Sequence, residues 1–135
     1  MKRLILSTIA TGMLISFSGC SDSPKDTLQE SINKYKECMI ENDYTCQAKY
    51  LDPTPFEEMG SSISDAMEGI KSSGMKIVDI KMNKPSKISK NGGILSASFS
   101  YSMTAKMQGQ EIKTDASVNA ISKDNGSTWL FSQKH

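Results

Sequence analysis

The sequence predicts an α+β domain in which three N-terminal helices pack on one face of a four-stranded antiparallel meander. Three observations lead there. Apolar residues recur at helical spacing from Leu28 to Ile70, the period drops to two after Met75, and Gly- and Asn-containing turns separate the later runs. Helices followed by strands, each with one apolar face, give two packed layers.

Each element has a local reason. Ser23-Pro24-Lys25-Asp26 reads as a helix start: Ser23 caps, Pro24 suits the first helical position, and Asp26 answers the helix dipole. Leu28, Ile32, Tyr35 and Met39 then form one stripe, and the helix should end near Asn42. Asp43 caps a short second helix carrying Tyr44, Ala48 and Leu51, which Asp52-Pro53 ends. Thr54-Pro55-Phe56-Glu57 opens a third helix with Phe56, Met59, Ile63, Met67 and Ile70 on one stripe and Gly74 as its stop.

Val78, Ile80 and Met82 share a face of the first strand, and residues 84–93 form a polar connection. From Leu95 to Met107, apolar residues alternate with Ser96, Ser98, Ser100, Ser102, Thr104 and Lys106, the pattern of a strand with one buried and one wet face. Gln108-Gly109 turns the chain. Ile112, Ala116, Val118 and Ala120 alternate on the next strand, Asp124-Asn125-Gly126 turns again, and Trp129 and Phe131 close the core.

This order resembles small bacterial lipoproteins with the cone-shaped fold of nuclear transport factor 2. The residues that carry the resemblance are Asn42-Asp43-Tyr44, opening the second helix, and Gly126-Ser127-Thr128-Trp129-Leu130-Phe131 on the last strand. The resemblance implies a cone that binds small apolar ligands or catalyses proton transfer in some members and has no assigned activity in many others.

The first residues carry an address. Lys2 and Arg3 precede an uncharged run of 14 residues, Leu4 to Phe17, the length of a signal-peptide apolar region and too short to span a bilayer. Phe17-Ser18-Gly19-Cys20 resembles the lipobox of bacterial lipoproteins, with Phe17 where that family usually carries Leu. The resemblance implies cleavage before Cys20 and a lipid on its thiol. The competing reading is an ordinary secretory signal cut after Ser18. Cysteine parity favours the lipid, because it removes Cys20 and leaves Cys38 and Cys46 as an even pair. The expected organisation is a signal peptide at 1–19, a tether at 20–24 and one domain over 25–135. The expected location is the cell envelope, bilayer-anchored through Cys20; with two membranes, Ser21 suggests the outer one, facing the periplasm.

Removing residues 1–19 takes Lys2 and Arg3 and no acid, so the formal charge moves from +1 to −1. That balance gives no electrostatic footprint for nucleic acid or for an anionic membrane surface. Arg3 is the only arginine and His135, the last residue, the only histidine. No internal imidazole is available for a nucleophile–base pair or a metal site, and no Gly-rich phosphate loop is present. No cofactor or metal is expected.

Four groups of residues could still carry chemistry. Cys38 and Cys46 flank a helical corner and suit a structural disulfide; two free thiols or a redox pair are the alternatives, though the latter expects Cys-x-x-Cys. Met39, Met59, Met67, Met82, Met103 and Met107 lie on apolar stripes, which favours core filling over a soft copper(I) site. Glu57, Glu58, Asp65 and Glu68 line the third helix, either as a carboxylate pair or as a solvated face. Tyr35, Tyr50, Phe99, Tyr101 and Trp129 are candidates to line a pocket. These features point to a non-catalytic envelope module that binds a protein partner or a small apolar ligand. The alternative is an enzyme with a carboxylate–tyrosine site in the cone.

Overall fold

The computed structural model describes residues 23–133, so Cys20, its neighbours and His135 lie outside the described residues. Helix α1 (Pro24–Ile40) leads to α2 (Tyr44–Ala48), α3 (Thr54–Glu58) and α4 (Ile63–Ser72). Strands β1 (Lys76–Met82), β2 (Ser89–Asn91), β3 (Ile94–Met107), β4 (Gln110–Ser122) and β5 (Leu130–Gln133) follow. All pair antiparallel in the order β1-β3-β4-β5, with β2 beside β1 on the same edge of β3. Among the described residues the architecture is α+β, with four helices and five strands rather than three and four. Among the described residues, no helix is long and apolar enough to cross a membrane.

The first two caps act where the sequence puts them, whereas α3 starts at Thr54 behind Pro53 with no side-chain cap. The Ser23 hydroxyl accepts from Asp26 N at 3.3 Å, and the Asp43 carboxylate accepts from Cys46 N at 3.0 Å. The buried stripe of α1 packs on Leu95, Phe99, Val118, Ala120 and Phe131 of the sheet. The serine-bearing face of β3 points away from this core.

Three expectations need correction. The third helix is two helices: Gly60 takes φ +75, and the Ser62 hydroxyl accepts from Asp65 N at 3.1 Å, restarting the chain as α4. A continuous stripe across 56–70 concealed that break, and Met59 at its edge is left 74% exposed. In β1 the buried residues are Ile77 and Ile80, because a register shift between Ile77 and Asp79 turns Val78 outward. Finally, the connection 84–93 contains β2. Asn83 N and Ser86 N donate to Ser100 O and Ser98 O at 2.9 and 2.8 Å, so the chain follows β3 past Pro85, which has no N–H to offer.

One long-range device ties the helical layer to β1, and a local one orders the turn before β5. Asn42, at φ 56, presents its side chain to β1 as another strand would: Oδ1 accepts from Ile77 N at 2.8 Å and Nδ2 donates to Ile77 O at 3.2 Å. At the other end, the turn before β5 is organised by Asp124, which accepts from Ser122 Oγ and from the amide and hydroxyl of Thr128. These bonds hold its carboxyl down to about 2.

Candidate functional site

The site begins with what the helices fail to fill. The C-terminal half of α1 supplies Tyr35 and Met39, and the corner that follows swings α3 and α4 out over the far part of the sheet. Between them lies a cavity of about 550 Å³. Its floor is Ile77, Tyr101, Met103, Val118 and Phe131, and its walls include Leu51, Phe56, Met67 and Ile70. Five methionines line it: Met39 from α1, Met59 after α3, Met67 from α4, Met75 before β1 and Met103 from β3. Thioether side chains are flexible and polarizable, so such a wall adapts to the shape of what it holds.

Polar groups at the cavity are few and uncharged: Tyr35, Tyr44, Tyr101, Gln47, Ser132 and Gln133, with no carboxylate in the lining. The Tyr44 hydroxyl donates to Met75 O at 3.0 Å, and Gln47 Nε2 donates to Cys38 O at 3.4 Å, so both are engaged. Burial pushes the Tyr35 phenol well above its ordinary range, and nearby Tyr101 adds to the shift. Burial raises Tyr101 as well. Both phenols are therefore neutral donors near pH 7 and poor bases.

Outside the cavity is a polar vestibule of about 840 Å³ that shares Tyr44, Met67 and Met75 with it. Glu41, Asp43, Glu68, Lys71 and Lys76 line this outer space. Glu68 therefore faces the vestibule, and Glu57, Glu58 and Asp65 are solvent-exposed. None of these carboxylates lines the cavity beside Tyr35 and Tyr101, although Glu68 shares the vestibule with Tyr44. Among the described residues, no group of three or more His, Cys, Asp or Glu side chains is gathered to hold a metal ion.

Of the five aromatic candidates, Tyr35 and Tyr101 line the cavity. Tyr50, Phe99 and Trp129 lie outside the lining. The rings of Tyr35, Tyr50 and Phe99 all pack on Phe131, with centroids 5.3, 6.2 and 5.0 Å away. Trp129 is 2% exposed and sits beside the start of α1. Met75 lay on no stripe, whereas Phe131, Met39, Met59, Met67 and Met103 are among the lining residues that their apolar stripes assigned to the core. Their apolar periodicity was visible, but a cavity wall and a filled core share that signal.

Cys38 and Cys46 are joined by a disulfide across the α1–α2 corner, with Cα atoms 5.5 Å apart. It constrains the corner between α1 and α2.

No protein-family model matches the sequence, and a search of curated proteins finds no match. Solved structures do match. A nuclear transport factor 2-like superfamily protein from Salmonella enterica aligns at a TM-score of 0.55 and 18% identity, over 83% of this chain and 92% of that one. An NTF2-like protein of unknown function from Shewanella oneidensis aligns at 0.52 and 9% identity, over 80% and 93%. A Bdellovibrio bacteriovorus structure aligns at 0.51 and 12% identity, over 81% of this chain but 40% of the other. At such identities the likeness concerns architecture alone, and the chain has the nuclear transport factor 2-like fold.

Proposed function

We propose that this chain is a cell-envelope lipoprotein, anchored through a lipid on Cys20, whose domain binds a small apolar ligand without turning it over. In a cell with two membranes it would face the periplasm from the outer one. The observation that carries the binding reading is the methionine-lined cavity of about 550 Å³, within the size range of small-molecule sites. Catalysis near neutral pH needs a group that exchanges protons there. The lining offers three phenols, Tyr35 and Tyr101 held protonated by burial and Tyr44 bonded to Met75 O, and no carboxylate or imidazole. An apolar guest asks only for removal of its surface from water, with a tyrosine hydroxyl or an amide to orient it.

The test uses a naphthylamine dye that fluoresces in apolar surroundings. The native protein should bind it, and Met67→Trp or Met103→Trp, which fill the cavity, should weaken binding roughly tenfold or more. Equal binding by the filled variants would defeat the cavity reading. Loss of the native phenotype in Asp65→Ala or Glu68→Ala, with fold and membrane attachment intact, would favour an enzyme instead. For the anchor, Cys20→Ala should abolish fatty-acid labelling and release the protein from membranes; full labelling of that variant would refute it.

A further inference from the structure

We propose that the end of the domain bearing the tether is a docking face for the anionic headgroups of the bilayer. The face centres on a groove of about 570 Å³ between the start of α1 and the segment joining β1 to β2. Lys25, Lys84 and Lys87 rim it, and Leu28, Pro85 and Ile88 give it an apolar wall. The three lysines are exposed, and the one ion pair found within 4 Å among the described residues, Lys34–Glu30, lies farther along α1. Asp26 is the carboxylate that shares the groove, and Asp22 lies in the tether.

Two more lysines sit at the same end. Lys90 pairs with Leu95, Leu95 pairs with Ser122, and Lys123 follows; the turn beyond it brings Gly126 against Pro24. The acid of that turn, Asp124, is occupied by Ser122 and Thr128. By contrast, the vestibule around the C-terminal end of α1 mixes signs, with Glu41, Asp43 and Glu68 beside Lys71 and Lys76. At 1.5 Å per residue the two ends are about 24 Å apart along α1.

The occupant follows from where the chain emerges. This inference rests on the lipid at Cys20: two residues, Ser21 and Asp22, then separate the anchor from Ser23, so three chain steps give a reach of about 10 Å. That is close to the screening length at physiological salt, so the lysines feel the surface charge rather than bulk solvent. Phosphate headgroups match the lysines, and the apolar wall suits the glycerol and upper acyl region beside them. The cavity then opens away from the bilayer.

The experiment takes the full protein purified from membranes in neutral detergent. It is reconstituted into vesicles of phosphatidylcholine with or without about one-third phosphatidylglycerol. Lysine acylation is read residue by residue. Lys25, Lys84 and Lys87 should be modified roughly fivefold more slowly on the anionic vesicles, with protection lost in high salt, while Lys71 and Lys113 are unchanged. Lys84→Gln/Lys87→Gln should remove the protection of Lys25. Equal modification on both vesicles, or protection of Lys71 and Lys113 instead, would overturn the proposal. A failed anchor reads out separately, as loss of vesicle retention by the unmodified protein on phosphatidylcholine alone. The lysine comparison on the anionic vesicles still decides the docking face.

Discussion

The indole Nε1 of Trp129 donates a 3.1 Å hydrogen bond to Oγ1 of Thr27, joining residues 102 positions apart. Thr27 in turn donates toward the carbonyl of Gly126, so one hydroxyl ties α1 to both the last turn and the residue before β5. Thr27→Val keeps the shape and leaves the buried indole N–H without its acceptor. The expected cost is about 1–3 kcal/mol. For a domain of this size each kcal/mol lowers the melting midpoint by roughly 4 °C or a little more. Adding Trp129→Phe to Thr27→Val should cost less than it does in the native protein. Full additivity would show that the bond contributes nothing.

Gly126 faces two constraints at once. Its φ is +93, and a Cβ there would meet Pro24 Cβ at 2.7 Å. Gly126→Ala should therefore destabilise by more than the roughly 1 kcal/mol expected from backbone conformation alone. Denaturant unfolding measures it, with Gly92→Ala as the comparison, since Gly92 also has positive φ (+59) but nothing within 4 Å of its Cβ. Equal losses would mean that the contact with α1 is easily relieved.

Asn42→Ala should remove both bonds to Ile77 and place a Cβ-bearing residue at φ 56 without the asparagine's compensation. A loss of about 2–3 kcal/mol is expected, with amide exchange at Ile77 accelerated before that at Phe99. Uniform acceleration across the sheet would argue that Asn42 serves global rather than local stability.

The Cys38–Cys46 disulfide closes a loop with a sequence separation of 8. In the chain-entropy model that is worth about 2.5 kcal/mol. Reduction should lower the unfolding midpoint accordingly, and the native protein should resist thiol reagents until reduced. Free thiols in the native protein under non-reducing conditions would contradict this.

Tyr35 and Tyr101 predict alkaline sensitivity. Burial raises both phenols above the ordinary value of about 10, so the folded state keeps protons that the unfolded chain releases. Their contribution is whole below pH 10 and declines as the pH rises beyond it. Tyr35→Phe should flatten the fall in stability above pH 10, as followed by unfolding at a series of pH values. Parallel curves for the two proteins would show that Tyr35 does not carry the effect.

Much of this fold was legible because its signals are local. Ser23 and Asp43 cap amides three residues away, and the β3 alternation compares each residue with the next but one. What escaped local reading depended on distant partners. The break at Gly60–Ser62 lay inside an unbroken apolar stripe, and Val78 turned outward through a shift in its register against β3. Of the candidate site, Tyr35 and Tyr101 were legible as amphipathic side chains on core stripes, whereas Phe131, Met39, Met59, Met67 and Met103 looked like filling.

The sequence by itself determined the α+β class, the starts of α1 and α2, the long half-buried strand and the pairing-ready spacing of Cys38 and Cys46. Periodicity and capping act over two to four residues, a range that the chain displays directly. Only the tertiary structure decided that Met39, Met59, Met67, Met75 and Met103 line one cavity, and that Glu68 stands outside it. It alone also set Lys25 beside Lys84 and Lys87, although the net charge of the chain is close to zero. Composition sums charge and apolarity over the whole chain; packing sorts them in space, and a site is built from that sorting.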